Sequence, residues 1–543
     1  MTHRAARRET ESVTDRTVRG SAVTALAERP AAPPSAPPGV PGAWRRVLVR
    51  SVLAPATVLA PLSTVALIAD HRYNIYLHGA SLLAHPQELV TGNLRTIGMY
   101  LDFGNFRPLG RMLEWSVDLC AYLLIRLPHL PTEVAMRLVS AVAAMILAGA
   151  MTLFAEAVTA RGRLFAAPPA RPLALLPLGF AGCLVAAGPM STTLLFGGLY
   201  FLSAALVLAV AAWICREPRH AALVVVAGAA LAAFNEVAAL ALPLATVAVL
   251  LRGRIVLGLS WRDTLRRARP AALLWLGFLP VFVPIRVIIA HICARGDCYR
   301  ASDLLVGPGA AAAMPNRLTA WLPPLQWLEA VDDSAIPGLL PILVALALFG
   351  LLAWRTVADL PRLPRPDRRQ ATALALSGAT LLLLGAALGS LSARGQEAAT
   401  TGQWGVGWRD SGLTAAGGTL ATLGLLALAT RLAFTRAAAV AFAIAAAGSA
   451  AVNQAYAGYT NRAPIAVLDN EIAAEVAQFD PSPAGDARRC ALRERFATLM
   501  RKAPYSRFAR GELPGTHSAV DRLDVTTGMA TGQMYGRPFC RNR

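Results

Sequence analysis

Long apolar runs separated by short polar stretches set the pattern of this chain. Most of the runs at 47–69, 134–157, 173–187, 193–214, 271–290, 336–354, 371–391, 412–430 and 437–452 are near the roughly 20 residues an α-helix needs to cross a bilayer. The stretch 221–251 is too long for one crossing and is interrupted midway by Asn235-Glu236. It predicts two short helices with Glu236 at the turn between them. Segment 109–125 is apolar but carries Glu114 and Asp118, and the arginine-rich connections fall on one side consistently only if it is a re-entrant or interfacial helix and does not cross. The pattern as a whole predicts an all-α polytopic membrane protein with about 11–13 transmembrane helices, the lower figure applying if 109–125 does not cross.

Arginine predicts the sidedness. Arg45 and Arg46 precede the first run. Arg161, Arg163 and Arg171 lie in one later connection, Arg216 and Arg219 in another, and Arg252, Arg254, Arg262, Arg266, Arg267 and Arg269 in a third. A fourth basic stretch covers 355–369. The positive-inside rule assigns these connections to the cytoplasm, the N-terminus inside and the C-terminus outside. Residues 1–43 are Arg-rich, then Pro-rich, and lack the apolar core of a cleavable signal, so they read as a disordered cytoplasmic tail. A transmembrane domain covers 44–452 with a large outer loop at 70–108, and an extracytoplasmic C-terminal domain covers 453–543.

Composition sharpens this picture in two ways. The 543 residues are 55% hydrophobic and 15% charged, which excludes an ordinary soluble domain. The net charge of +20 is nearly all arginine, with a single lysine, Lys502. In a soluble protein such a balance would point to nucleic acid. Here the arginines flank apolar runs, where they set topology and meet anionic lipid, so membrane lipids and not nucleic acid are the expected partners. The Ala-, Gly-, Pro- and Arg-rich usage suggests a GC-rich bacterial source and hence a bacterial plasma membrane. Of seven cysteines, Cys120, Cys183 and Cys215 lie in or beside apolar runs. Cys293 and Cys298 share one polar loop, and Cys490 and Cys540 share the C-terminal tail. Two disulfides, Cys293–Cys298 and Cys490–Cys540, are therefore expected outside the cytoplasm.

The outer loop carries the candidate chemistry. Asp70 stands where the first apolar run ends, followed by Arg72, and Asp102, Arg107 and Arg111 stand where the next begins. Acid and guanidinium groups are thus held at one interfacial level by neighbouring membrane segments. Glu236 lies within an apolar run, where a carboxylate costs about 2.5–3.5 kcal/mol on insertion scales and usually marks a function or a partner. His71, His78 and His85 recur every seven residues, but His85-Pro86 ends the helix they would share, and an interfacial helix accounts for them better than a metal site. Trp404 and Trp408, in the polar stretch 392–411, read either as sugar-stacking rings or as members of the interfacial aromatic belt.

Asp70 after the first span, Asp-Phe-Gly-Asn-Phe-Arg-Pro-Leu-Gly-Arg at 102–111 and Phe-Asn-Glu-Val at 234–237 together resemble the GT-C superfamily of membrane glycosyltransferases, over roughly residues 45–250. Within it they look like the bacterial serotype-converting glucosyltransferases and the O-mannosyltransferases with an Arg-Pro-Leu motif. The resemblance implies a GT-C-like fold and transfer of a sugar from a polyprenyl-phosphate donor to an extracytoplasmic cell-envelope glycan, lipid or protein. It implies Asp70 at the catalytic acid position, Arg107-Pro108-Leu109 as the Arg-Pro-Leu motif and Asn235-Glu236 as the acidic pair of the later hairpin; the chemistry of the transfer itself points to Arg107 and Arg111 as ligands of the donor phosphate, with Arg72, Asp102 and Glu236 as supporting residues. The resemblance leaves room for a divalent metal but picks out no ligand set for one, and it implies no other cofactor. The chemistry fits the expected topology. An inverting transfer needs one carboxylate to take the acceptor proton and cations for the departing phosphate, for which the planar guanidinium is suited. A transporter or flippase for a lipid-linked substrate, or a non-catalytic envelope-assembly protein, would also accommodate an intramembrane Glu236 and broken helices.

Overall fold

A computed structural model describes residues 42–68, 70–294, 305–331, 338–429, 431–502 and 518–541. The expected N-terminal tail falls almost wholly outside them, as does Cys298, and with it the expected Cys293–Cys298 bridge. Every regular element among the described residues is helical.

Helix α1 (Ala43–Leu59) is extended by a 3-10 turn to Thr64. The outer-loop sequence then folds as α2 (His71–Ala84), α3 (Glu88–Arg95) and α4 (Ile97–Asp102). His85 follows the last residue of α2, immediately before Pro86, whose ring disfavours helical geometry in the residue preceding it. Next come α5 (Pro108–Arg126), α6 (Thr132–Thr159), α7 (Leu176–Gly182), α8 (Gly197–Cys215), α9 (Ala221–Ala232) and α10 (Ala241–Leu251). The remainder comprises α11 (Trp261–Arg267), α12 (Arg269–Cys293), α13 (Pro308–Thr319), α14 (Pro323–Ala330), α15 (Leu339–Asp359), α16 (Arg368–Ser390), α17 (Ala393–Thr400), α18 (Ser411–Leu428), α19 (Leu432–Thr460), α20 (Pro464–Ala477), α21 (Pro483–Lys502) and α22 (Ala519–Tyr535).

Nine helices among the described residues are long and apolar enough to cross a membrane, fewer than the 11–13 predicted. The difference has a local cause. Two of the expected crossings are made of shorter apolar helices, Arg171–Ala181 and Ala221–Ala232, that break before reaching full length. The first continues as irregular chain at 183–187, whose backbone polar groups are satisfied by its neighbours. Asn453 of α19 accepts from the Ala186 N–H at 2.9 Å and donates to the carbonyls of Leu184 and Val58, each at 2.9 Å. Non-helical backbone at this depth is tolerated only with such protein partners. Close approach of the long helices relies on glycine. A Cβ on Gly378 would lie 2.2 Å from the Ala421 nitrogen between α16 and α18, and one on Gly277 would lie 1.9 Å from the Val225 oxygen between α12 and α9.

The connections sort to two ends. At one end the basic stretches bind each other: Arg252 donates to Ala160 O (3.1 Å), Arg216 to Gly162 O (2.7 Å) and Arg171 to Leu363 O (2.9 Å), while Arg50 pairs with Asp359 (2.6 Å). The stretches expected on the opposite side meet at the other end. Gly407 N–H donates to Ala187 O (2.8 Å), Leu109 N–H to Ala233 O (3.0 Å) and Asn461 to Thr64 O (2.9 Å). Helix α5 lies at this second end. Its Val117, Ala121, Tyr122 and Ile125 share a core with Tyr73, Ile75 and Tyr76 of α2, Leu468 of α20, Phe496 of α21 and Leu523 of α22. The C-terminal helices therefore pack into one core with the outer loop, and α5 is absent from the nine apolar candidates, as its two carboxylates predict.

Cys490 and Cys540 form a disulfide. It clasps α21 to the end of the chain, beside Arg489, whose Nε donates to Phe539 O at 2.5 Å. Because the bridge closes 50 residues, Cys490→Ser is expected to destabilise the C-terminal helices by about 4 kcal/mol on the chain-entropy model. Thermal unfolding with and without reductant checks this. The wild type should fall to the variant's midpoint under reduction, whereas the variant should not respond.

Candidate functional site

The two motif segments, 107–111 and 234–237, are in direct contact. Pro108 begins α5 with its fixed φ, and Arg107 is the flanking residue. The first turn then docks on the break that follows α9. Leu109 N–H donates to Ala233 O, and Gly110 faces Phe234 O so closely that a Cβ would lie 2.3 Å from it. Asn235 restarts the chain: its Oδ1 accepts from Ala238 N–H at 2.9 Å, and its Nδ2 donates to Ser203 at 2.7 Å. Glu236 is thereby held at the break, beside the start of α5. Gly110→Ala should force these segments apart. Overpacking against backbone typically costs 1–3 kcal/mol, which should appear as a lower unfolding midpoint.

Charges of both signs converge here. Glu236 is half-buried. Burial would raise its pKa, but Arg409, Arg107 and Arg286 outweigh that and hold the carboxyl below its usual value. Arg107 Nη2 lies 3.9 Å from Glu114 Oε2, and Glu114, Tyr200 and Glu236 raise its pKa against the cost of burial. Arg409 lies 5.8 Å from the Tyr200 ring centroid and 5.1 Å from that of Trp408. Arg111 sits over the Tyr100 ring, and burial pushes its pKa down to about 10. Among the described residues, the buried atoms Arg107 Nε, Arg111 Nε, Asn105 Oδ1 and Glu114 Oε2 have no hydrogen-bond partner. An unsatisfied buried polar atom costs roughly 1–3 kcal/mol.

Arg409 owes its position to its neighbour. Asp410 accepts from Arg317 Nε at 3.0 Å and Nη2 at 2.7 Å, and both side chains are fully buried. Arg317 also donates to Val406 O at 2.9 Å. This two-pronged bridge ties α13 to the turn before α18 and fixes the Trp408-Arg409-Asp410 segment. Trp408 is buried, whereas Trp404 is 46% exposed.

Asp70 stands apart from these arginines. Its carboxylate, 46% exposed, pairs with Arg522 of α22 at 3.0 Å, and Arg522 lies over the Tyr73 ring at 4.3 Å. Arg72 pairs with Asp469 of α20 at 2.6 Å, and burial pushes that carboxyl up to about 6 despite the pairing. Asp102 is exposed at the end of α4. Aromatic contacts connect the two regions. The His71 ring lies 4.8 Å from Phe196, which lies 6.5 Å from Tyr200. Burial and the nearby Arg137 push the His71 pKa down to about 3, so its ring stays neutral and Nε2 accepts from Phe196 N–H at 3.0 Å. His78 instead meets Asp118 at 2.7 Å and stacks on Trp115 at 4.6 Å, and burial pushes the Asp118 carboxyl up to about 6. The equally spaced histidines thus serve separate neighbours. Among the described residues no group of three or more His, Cys, Asp or Glu side chains is placed to hold a metal ion.

The structure therefore gathers Arg107, Arg111 and Glu236 and adds Glu114, Tyr200, Arg286, Arg317, Arg409 and Asp410. Arg286 could have been found from the sequence, being a charge inside the run 271–290 just as Glu236 is inside its own. Tyr200, Arg317 and Arg522 carry no such signal. In comparisons with known proteins, no family profile, no curated sequence and no solved structure gave a significant match to the chain.

Proposed function

We propose that the chain is a membrane glycosyltransferase of the GT-C kind, moving a sugar from a polyprenyl-phosphate donor to an extracytoplasmic acceptor with inversion. The observation that carries this reading is the docking of the start of α5, with Arg107, on the helix break that carries Glu236, where Arg409, Arg107 and Arg286 hold that carboxyl below its usual value, at the end of the helical bundle away from the basic connections. Three guanidiniums exceed the local carboxylates, and the unsatisfied Nε atoms of Arg107 and Arg111 are donors of the kind a phosphate accepts from. The positive-inside rule assigns the opposite, basic end to the cytoplasm, and the Cys490–Cys540 disulfide, on the site's end, agrees with an oxidising compartment. A plasma-membrane location in a bacterium belongs to the same reading.

Division of labour follows from electrostatics. Glu236 is stabilised as an anion by three arginines, so it is a poor proton acceptor and serves to organise them. Asp70 has one arginine partner and partial solvent access, and is the candidate general base. In the transfer, the acceptor oxygen bonds to the anomeric carbon as the bond to the phosphate oxygen breaks. The acceptor proton passes to the carboxylate, and the departing phosphate keeps the electron pair under the arginines. The test is transfer of radiolabelled sugar from synthetic polyprenyl-phosphate donors to envelope acceptors by purified protein. A helix break carrying Glu236 also suits a lipid flippase. Protein that moves such a donor across vesicles without releasing its sugar would establish that reading and overturn the transferase.

A further inference from the structure

We propose that the basic end of the bundle holds a site for the phosphate headgroup of an anionic phospholipid, separate from the candidate transfer site. A cavity of about 310 Å³ opens there between the end of α6, the start of α16, the end of α18 and the turn at 171–175 that precedes α7. Its interior is apolar, with Leu173, Leu374 and Ala427, and its mouth carries Arg161, Arg163 and Arg365. The volume is at the lower end of the roughly 300–1,000 Å³ typical of ligand pockets, enough for the glycerol end of a lipid and the first carbons of its chains, with the phosphate held at the arginine mouth.

The cavity is built, not left over. Its two walls, 160–171 and 361–367, are bound together by Arg171, whose N–H donates to Pro364 O at 3.1 Å and whose Nε donates to Leu363 O at 2.9 Å. Gln370 Nε2 donates to Thr159 O at 3.0 Å across the floor, and Arg161 pairs with Asp367 at the rim. Glu156 is the acidic side chain of the lining, and its carboxylate accepts from Phe165 N–H at 3.2 Å. Arg161 is thus matched by Asp367, and Arg163 and Arg365 outnumber Glu156, which leaves the mouth net positive. An apolar floor with an arginine mouth between helix ends fits an anion carried on a hydrocarbon body, and basic pockets of this placement suit anionic headgroups. Nothing in this argument depends on sugar transfer.

The test is thermal unfolding of the detergent-solubilised full chain, titrated with dioleoyl phosphatidylglycerol, dioleoyl phosphatidylcholine or inorganic phosphate. A saturable rise in midpoint with phosphatidylglycerol alone is expected. Arg163→Ala with Arg365→Ala should abolish that rise, and the corresponding pair of lysine substitutions should retain most of it. Removal of equal charge elsewhere on the same end, by Arg262→Ala with Arg266→Ala, should leave it intact. An equal rise with phosphatidylcholine, or an equal loss in both alanine pairs, would overturn the proposal, since either would mean that bilayer contact or general surface charge is responsible. A rise with inorganic phosphate alone would overturn the lipid assignment, making the ligand a free phosphate.

Discussion

Asp70→Asn is expected to lower sugar transfer about 10²–10⁴-fold, the usual worth of a positioned general base. The substitution keeps shape and removes the proton acceptor. It also turns an ion pair with the partly exposed Arg522 into a neutral hydrogen bond, and exposed pairs of that kind are worth only about 0–1 kcal/mol, so folding should change little. Donor affinity should also hold, because the phosphate is assigned to Arg107 and its neighbours. Arg107→Lys should behave differently: charge stays but the two-pronged contact is lost, so donor affinity and rate should fall together. Glu236→Gln should act mainly on the donor, since it releases the three arginines it organises. Steady-state kinetics with varied donor separate these outcomes. Near wild-type turnover for Asp70→Asn beside a collapse for Glu236→Gln would move the base to Glu236. Full activity in both would remove the carboxylate mechanism.

The second large effect is on stability. Arg317 and Asp410 form a two-pronged pair with no exposed surface, closed over by Gly389, where a Cβ would lie 2.4 Å from Asp410 Oδ2. Asp410→Ala should strand a buried guanidinium and cost about 3–5 kcal/mol, whereas Arg317→Met with Asp410→Leu should recover much of that, because removing both charges removes the stranding. Unfolding midpoints of the single and double variants check this. The same variants carry a functional signature: freeing the 408–410 segment should misplace Arg409 and weaken donor binding, even in a double variant that folds well. A double variant as unstable as Asp410→Ala would show that packing at this point, not the buried charge, is decisive.

Part of the candidate site is legible in the sequence. Arg107, Arg111 and Glu236 announced themselves because a charge beside or within an apolar run is costly enough to need a reason. Arg286 obeyed the same logic within 271–290. Arg522 was opaque, since it sits in a polar helix where arginine is ordinary and its contact with Asp70 spans 452 residues. Asp70 was visible as a boundary acid, but its neighbours were not.

The sequence by itself determined where the chain turns. Apolar runs, their interruption at Asn235-Glu236, the polar cost of Glu114 and Asp118 in α5 and the arginine-rich connections are properties of local stretches, and transfer from water to lipid is decided stretch by stretch. The basic connections accordingly meet at one end and the others at the opposite end. Tertiary structure alone decided which charges face each other, that 183–187 stays unwound under Asn453, and that the C-terminal helices share one core with the outer loop. Those outcomes depend on the packing of distant helices. The energy of a guanidinium and a carboxylate depends on their separation and on the water left between them, and neither is encoded in any single stretch of chain.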